Sequence, residues 1–429
     1  MLTAEDQLAA LADVVALAEF DRADAELRDV VDKAMRAVLV ATSLGISCEW
    51  WVLPEPWPAA AGAGGGVPAG RDLLGTAMAL GTLAGAADLD PMDIGPSHTP
   101  LTATLASCLA AAAVGAPAER VADGVLAGMD IALRLRRVVT GTRPGVGFHS
   151  PGVFGTIAAA AAAARTMGLS RAACADAIAI ALTRAGGLAI NSAATRIGLT
   201  HFGWGTAHGL EAALLAGQGW TASHDLEKAF GTLFPAAPPP DLGPIGEHPV
   251  ITARDVMFKH FPCNIYLNLV VLALERLGVG QGPEPIRIDL PLIPHLDGAT
   301  PGGVRAARNS AQAVVGIAVG AGTGYPAFCG TADDWRPDGA VTDAMRRVEL
   351  RMDPDVSTRL DSARVRVSSG GRSSEHTMGE LTAWGADHAL RLTAGVVDPE
   401  LVRVLYGPDV REAFDAVFGL FRRQSVRSA

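Results

Sequence analysis

Lysine is scarce in this chain of 429 residues, which has only Lys33, Lys228 and Lys259 among its 35 basic residues. Arginine therefore supplies nearly all of the positive charge, so each remaining lysine marks a place where a compact, titratable ammonium could be needed. The chain also has no block of basic residues long enough to serve as a phosphate-binding arm, and its formal net charge is −10. This acidic balance argues against nucleic acid as a partner.

Cysteines and long apolar runs are also few. The five cysteines are scattered without a CxxC spacing, which is typical of reduced thiols rather than of disulfides or a metal cage. The most apolar run, residues 101–114, is too short and too rich in alanine to span a bilayer. The first residues, MLTAEDQLAALADVV, lack the basic start and apolar run of a signal peptide. We therefore expect a cytoplasmic protein with no membrane partner.

Several motifs of well-known enzyme classes are missing as well. The chain has no P-loop, no GxGxxG after a strand-like run, no HExxH and no GxSxG elbow. Their absence weighs against nucleotide-driven, nicotinamide-dependent, zinc-protease and serine-hydrolase chemistry.

Alanine-rich helical sequence is what the chain has in abundance. Helical periodicity covers most of the first 250 residues, and small side chains, as in the run 157–164, favour close helix packing. Alternation typical of strands first appears after the proline-rich segment 235–249. It marks four short runs, 256–258, 286–290, 348–352 and 363–367.

These patterns predict a mainly α protein, in which a large all-helical domain carries an inserted, smaller α+β lid domain. We place the helical domain at residues 1–250 and 395–429, because the last two helical segments return to the earlier pattern. The α+β lid domain would then span residues 251–394.

The stretch GVGFHSPGVFG, residues 145–155, places His149 just before a long helix. Ser150 is expected as the N-cap and Pro151 as the first helical residue. The positive end of that helix would favour an anion beside the imidazole. Taken alone, the pattern favours a structural loop histidine over a catalytic one.

Three further stretches place polar residues at breaks between apolar helices. The first has carboxylates and a histidine, the second has an arginine and two histidines, and the third has a lysine and an asparagine. Their members are Asp88, Asp90 and His98; Arg196, His201 and His208; and Lys259 and Asn264. Helix caps and ordinary helix starts could explain each stretch separately, and we expect His201 and His208 to stabilise helix ends or turns.

The order of the four stretches resembles the MmgE/PrpD family of dehydratases, decarboxylases and epimerases over nearly the whole chain. Four short matches carry the resemblance: residues 147–151 (GFHSP), 88–90 with His98, 259–263 (KHFPC) and 207–213 (AHGLEAA). The resemblance implies the same helical fold with a lid, a homodimer, and activity on a small carboxylic acid without a metal or organic cofactor.

The chemistry that the resemblance implies is proton transfer at a carbon next to a carboxylate, with loss of water or carbon dioxide, or inversion. Such chemistry needs a base, an acid, and cations that hold the carboxylate. His98, His149 and Lys259 match active-site residues of the family and are expected to be catalytic. Asp88 and Arg196 are expected to bind substrate.

Three family anchors are changed in this chain. Gly198 stands where the family has a lysine or arginine, Asn264 where some members have a histidine, and Ala313 near an expected tyrosine. We still expect Asn264 to contact the substrate. Because uncompensated carboxylates are costly to desolvate, the changes favour an acid smaller than citrate-like triacids. A reassigned enzyme, such as a cyclase or elimination catalyst of a biosynthetic pathway, and a non-catalytic binding scaffold stay open as alternatives.

Overall fold

The computed structural model describes residues 4–53, 71–94, 100–139, 147–191, 196–235, 251–252, 255–329 and 335–428. His98, one of the expected catalytic residues, lies outside the described residues. The described chain is mainly α, as the sequence predicts. Within these ranges, no helix combines the length and the apolarity needed to cross a lipid bilayer.

Helices account for most of the described chain. The first nine are α1 (Ala4–Leu17), α2 (Ala25–Cys48), α3 (Arg71–Ala86), α4 (Leu101–Val114), α5 (Glu119–Val139), α6 (Ser150–Met167), α7 (Arg171–Leu182), α8 (Ile197–Gly217) and α9 (Leu226–Leu233). They are followed by α10 (Ile265–Leu277), α11 (Val304–Arg308), α12 (Ala311–Gly320), α13 (Tyr325–Phe328), α14 (Gly339–Arg346), α15 (Ala386–Thr393), α16 (Pro399–Leu405) and α17 (Val410–Ser428).

The strands form two small sheets. Their bounds are β1 (Met92–Asp93), β2 (Val256–Met257), β3 (Ile286–Pro291), β4 (Val348–Asp353), β5 (Arg364–Ser369) and β6 (Arg372–Thr377). One sheet pairs β1 with β2, and the other has the order β4-β3-β5-β6. Strand β3 runs parallel to β4 and antiparallel to β5, while β5 and β6 form a hairpin. Gly370 and Gly371 both have positive φ at its two-residue turn, as a primed hairpin turn requires.

Two large hydrophobic clusters divide the described side chains. One is built mainly from α1–α9 and α15–α17, and the other from Met92 and residues 257–381. Phe258 and Trp384 belong to the first cluster although they lie in the segment assigned to the α+β domain. Helix α15 also contributes to the first cluster, so the division into domains at residues 251 and 394 stays a prediction.

Glycines allow α8 to approach both of its neighbours closely. A Cβ on Gly209 would stand 2.4 Å from the Ala159 Cβ of α6, and one on Gly203 would stand 2.3 Å from the Met78 carbonyl oxygen of α3. Alanines and glycines thus bring the helix backbones together, which is the packing that the alanine-rich sequence predicts.

The short β1–β2 pair connects the two hydrophobic clusters next to the segment that contains Lys259. Met92 pairs with Met257 and Asp93 with Val256, so the chain after α3 lies beside the chain that leads to Lys259. The sequence did not indicate β1, because a strand of two residues is too short to show alternation.

Three other details differ from the sequence-based expectations. Helical periodicity in the sequence is clear only from about residue 205, whereas α8 begins at Ile197, because glycines that serve close packing weaken the helical signal. The apolar pattern over residues 304–320 predicts one helix, whereas the structure has α11 and α12, since the Ser310 side chain caps α12 by accepting a bond from the Ala313 N–H. The sequence also missed β6, since its side chains are mostly exposed and polar.

The crowding at Gly209 predicts opposite effects for two matched substitutions. Gly209→Ala is expected to destabilise the protein by about 1–3 kcal/mol, because the new methyl group would overpack the α6–α8 contact. Gly231→Ala on α9, where a Cβ would meet nothing within 4 Å, should instead stabilise by about 0.5–1 kcal/mol through helix propensity. Urea unfolding of both variants measures this contrast, and shifts of the same sign would contradict the packing described above.

Candidate active site

Lys259 is buried between the carboxylates of Asp88 and Asp90, which directly follow α3. Its Nζ donates to Asp88 Oδ1 at 2.6 Å and to Asp90 Oδ1 at 3.0 Å. The exposed fractions of the three side chains are 7% for Lys259, 15% for Asp88 and 6% for Asp90. This group, the Lys259 cluster, is the contact that connects the helical bundle to the segment after β2.

The turn after α3 aims both carboxylates at the lysine. Asp88 has φ of +56°, a left-handed conformation that aspartate tolerates better than most residues. Its backbone N–H still donates to the Gly85 carbonyl oxygen, so the turn follows directly from the last turn of the helix. On the other side, the Phe258 N–H donates to the Leu381 carbonyl oxygen at 2.6 Å and fixes the chain just before Lys259.

Opposite charges keep the Lys259 cluster ionised despite its burial. Burial alone would lower the pKa of Lys259, but the carboxylates of Asp88 and Asp90 raise it above its ordinary value. Burial alone would raise the pKa of Asp88, but the charges of Lys259 and Arg305 hold it below its ordinary value. The ammonium is therefore a fixed cation at neutral pH and is unsuited to act as a base.

His149 pairs with a second histidine, His201 of α8. The Nδ1 atoms of the two rings lie 3.0 Å apart, so one ring must donate and the other must accept. His201 is 4% exposed, and His149 is half-buried. We expected His201 to stabilise a helix end; the structure pairs it with His149 instead. His201 lies four residues before Gly205 and eight residues before Gly209, so all three share the side of α8 that faces α6. This spacing could have indicated the position of His201 from the sequence.

Backbone bonds hold His149 at the start of α6. The His149 N–H donates to the Gly187 carbonyl oxygen at 2.8 Å, and Phe148 forms an antiparallel bridge with Leu188. Gly187 has φ of +97°, and a Cβ there would stand 3.1 Å from the His201 ring. A glycine is therefore needed at this position both for its backbone conformation and for the space beside the imidazole.

The expected cap of α6 was wrong. His149 itself stands at the N-cap position, and its side chain makes no capping bond. The Ser150 Oγ is buried without a hydrogen-bond partner among the described residues. The His149 ring turns to His201 rather than to the first turn of the helix.

Both imidazoles are neutral at ordinary pH. Burial, His201 and Arg305 lower the pKa of His149 to about 3, and burial and Arg305 lower the pKa of His201. For His149 to accept a proton on Nε2, its Nδ1 must carry hydrogen and donate to His201. The pair can then work as a base with a built-in orienting partner.

Helix α11 contributes two arginines that the sequence analysis did not single out. Arg308 is buried and donates to Glu49 Oε1 at 2.6 Å and to the Ala86 carbonyl oxygen at 2.7 Å. Tyr325 Oη also donates to Glu49 Oε1, at 2.8 Å. These bonds dock α11 against the ends of α2 and α3, directly beside the turn that carries Asp88.

Asn264, expected to bind substrate, has a positioning role in the structure. Its Oδ1 accepts a bond from the Tyr266 N–H at the start of α10, and its Nδ2 donates to Asn309 Oδ1 at 3.1 Å. Its N–H also donates to the Arg308 carbonyl oxygen. Asn264 thus connects the segment after Lys259 with α11.

Arg196, also expected to bind substrate, is exposed at the start of α8. Its guanidinium carbon lies 4.9 Å from the centre of the Trp51 ring, which is a cation–π contact. His208 lies about three turns further along α8, where its ring stacks on Trp204. The charge of Arg305 acts on both Asp88 and His149, so Asp88, Lys259 and His149 lie in one region with Arg305, whereas Arg196 contacts Trp51.

A separate cavity of about 690 Å³ is lined by His260, Trp384 and His388, among other residues. Neither His149 nor Lys259 lines it. His388 Nε2 donates to the His260 carbonyl oxygen at 3.0 Å. In the described ranges, no three His, Cys, Asp or Glu side chains meet as a metal site would need.

Parts of this chain are similar to proteins of known function. The model of the MmgE/PrpD N-terminal domain matches residues 66–234, which include Asp88, His149 and His201. Cis-aconitate decarboxylase of Mus musculus is 31% identical over 237 residues, which are 52% of this chain and 48% of that protein. The Homo sapiens protein of the same name is 32% identical over 223 residues, 48% of this chain and 46% of that protein. The chain thus spans about half the length of these curated relatives.

The Lys259 cluster predicts a large cost for removing the ammonium. Lys259→Met is expected to destabilise the protein by about 3–5 kcal/mol at pH 7, because two buried carboxylates lose their shared partner. Lys33→Met is the matched control, since the Lys33 Nζ and Asp29 Oδ2 pair at 2.5 Å has side chains that are 30% and 57% exposed. The control should cost about 1 kcal/mol or less.

The destabilisation caused by Lys259→Met should depend on pH. The lowered pKa of Asp88 contributes stability above its unfolded value of about 4, and this contribution is lost as the pH falls. The difference between wild type and Lys259→Met should therefore shrink below about pH 4, where protonation relieves the unpaired carboxylates. Denaturant unfolding at a series of pH values measures it, and a difference that is independent of pH would contradict the ionised cluster.

Proposed function

We propose that this protein is a lyase or isomerase acting on a small organic acid, because residues 66–234 match the model of the MmgE/PrpD N-terminal domain. The reaction is dehydration, decarboxylation or inversion, initiated by proton transfer at the carbon next to a carboxylate. The observation that carries the proposal is the neutral His149–His201 pair in the same region as the buried, ionised Lys259 cluster.

The orientation of His149 suits it to the proton transfer. With Nδ1 bonded to His201, its Nε2 is the nitrogen that can face a substrate, and a neutral imidazole accepts a proton there. The electron pair left on the substrate carbon is delocalised into the adjacent carboxylate. Nearby fixed cations stabilise the resulting enolate-like charge in a site of low dielectric.

The departing group and the returning proton need a second acid–base group. His98 is the proposed partner of His149, because it matches the second active-site histidine of the family. Lys259 has three N–H donors, and its two bonds to carboxylates leave one that can reach the substrate. In this proposal Lys259 binds and orients, and does not exchange a proton.

The reaction proceeds with the chain's own acid–base groups, without a metal or an organic cofactor. The substrate is an acid smaller than citrate-like triacids, since Gly198 and Ala313 offer no polar side chain and Arg196 is stacked on Trp51. We propose that the protein works as a homodimer in the cytoplasm.

A second candidate function is a scaffold that binds a small acid without converting it. The engagement of Asn264 and Arg196 in contacts within the chain favours it, because two expected substrate contacts are then occupied. A cyclase or elimination catalyst acting on another acid is a further form of the enzymatic proposal.

Solvent-deuterium exchange distinguishes an enzyme from a binder. In D₂O, wild-type protein should introduce deuterium next to the carboxylate of at least one small acid in a panel, observed by proton NMR. His149→Gln should slow this exchange by about 10²-fold or more, because a positioned general base is lost. His295→Gln, an exposed histidine, is the control and should exchange at the wild-type rate.

Either of two results would refute the catalytic proposal. Binding of an acid without deuterium incorporation across the panel would favour the scaffold. Exchange that persists at the wild-type rate in His149→Gln would remove His149 from the mechanism.

A further inference from the structure

Resting on the proposed function, we infer that Arg305 binds the substrate carboxylate and restricts the site to acids that carry a single carboxylate. Arg305 would then supply the cation that the chain lacks at Gly198. None of the short sequence matches to the family includes this arginine.

The docking of α11 points Arg305 towards the site. Arg305 and Arg308 are three residues apart on this short helix, so their side chains leave it on the same side. Arg308 reaches the Ala86 carbonyl oxygen, two residues before Asp88. Asn264 also holds the C-terminal end of α11, through Asn309 and the Arg308 carbonyl oxygen. Arg305 lies one turn before Arg308 on this docked helix, near enough to Asp88 for its charge to act there, and its Nε is shielded from solvent.

The charge of Arg305 acts on both halves of the site. Its charge lowers the pKa values of His149 and His201 on one side, and that of Asp88 on the other. Arg305 is thus close enough to act on both the proposed base and the Lys259 cluster. A carboxylate bound there would lie beside His149, where the adjacent carbon can meet Nε2.

The net charge of the site limits the number of carboxylates that a substrate can carry. Asp88 and Asp90 are opposed by Lys259 and Arg305, so these four side chains sum to zero, and Arg308 with Glu49 also sums to zero. A guanidinium has five N–H donors in a planar fork, which allows it to face Asp88 and a substrate carboxylate together. One bound carboxylate makes the site singly negative, whereas a triacid would bring three charges into a poorly solvated space.

Calorimetric titration with three simple acids tests the inference without requiring turnover. The probes are butyrate, glutarate and tricarballylate, which carry one, two and three carboxylates. Wild-type protein should bind butyrate more tightly than either of the others. Arg305→Gln should weaken butyrate binding at least tenfold, or about 1.4 kcal/mol, through loss of charge-assisted hydrogen bonds. Arg346→Gln, at the end of α14 where the side chain is 73% exposed, should leave butyrate binding unchanged.

A second variant distinguishes the loss of a binding contact from misfolding of the protein. Arg305→Lys keeps the charge but loses the fork, so it should retain part of the butyrate affinity that Arg305→Gln loses. Unchanged butyrate affinity in Arg305→Gln would overturn the inference and make Arg305 a partner of Asp88 alone. Tighter binding of tricarballylate than of butyrate, or no binding of any acid by wild type, would overturn it as well.

The outcome is distinguishable from that of the exchange experiment. Arg305-dependent butyrate binding without deuterium incorporation would support a carboxylate site and refute the catalytic proposal. Deuterium incorporation together with butyrate binding that ignores Arg305→Gln would support catalysis and refute the role of Arg305.

Discussion

The Lys259 ammonium, held between Asp88 and Asp90, is the interaction on which the geometry of the candidate site depends. It closes a contact between the end of α3 and the segment after β2, two parts of the chain about 170 residues apart. Buried charges are stable in the interior only when they are paired, so both aspartates and the lysine are needed together. The left-handed turn at Asp88 and the β1–β2 pair bring the two aspartates and the lysine close together.

Close helix packing provides the second half of the site. Glycines of α8 allow its backbone to approach α6, and the same face of α8 carries His201 to the start of α6, where His149 stands. The packing removes water from both rings and so keeps them neutral, while the Lys259 cluster keeps its charges through mutual attraction. Neutral bases and fixed cations in one poorly solvated region are the two requirements of proton transfer next to a carboxylate.

Sequence patterns predicted the mainly α fold because alanine-rich periodicity and short alternating runs are strong local signals. They also singled out Asp88, His149 and Lys259, which the structure brings into one region. They assigned His201 another role and missed Arg305, because pairing across helices depends on which faces meet in three dimensions. The expectation for Asn264 came from a family position, whereas its side chain is used by a helix cap and by Asn309. Local sequence could not show that Arg196 would stack on Trp51.

The central claim is that the His149–His201 pair is neutral and lies under the influence of Arg305 and burial. Nitrogen-15 NMR titration of the histidine rings in the ligand-free protein tests it most directly. The account predicts that His149 stays neutral down to about pH 4, well below the ordinary histidine value of about 6.5, and that His201 also titrates below that value. Titration of His149 at or above about pH 6.5 would contradict the account, because the ring would then be solvated and would lack the proposed neighbours.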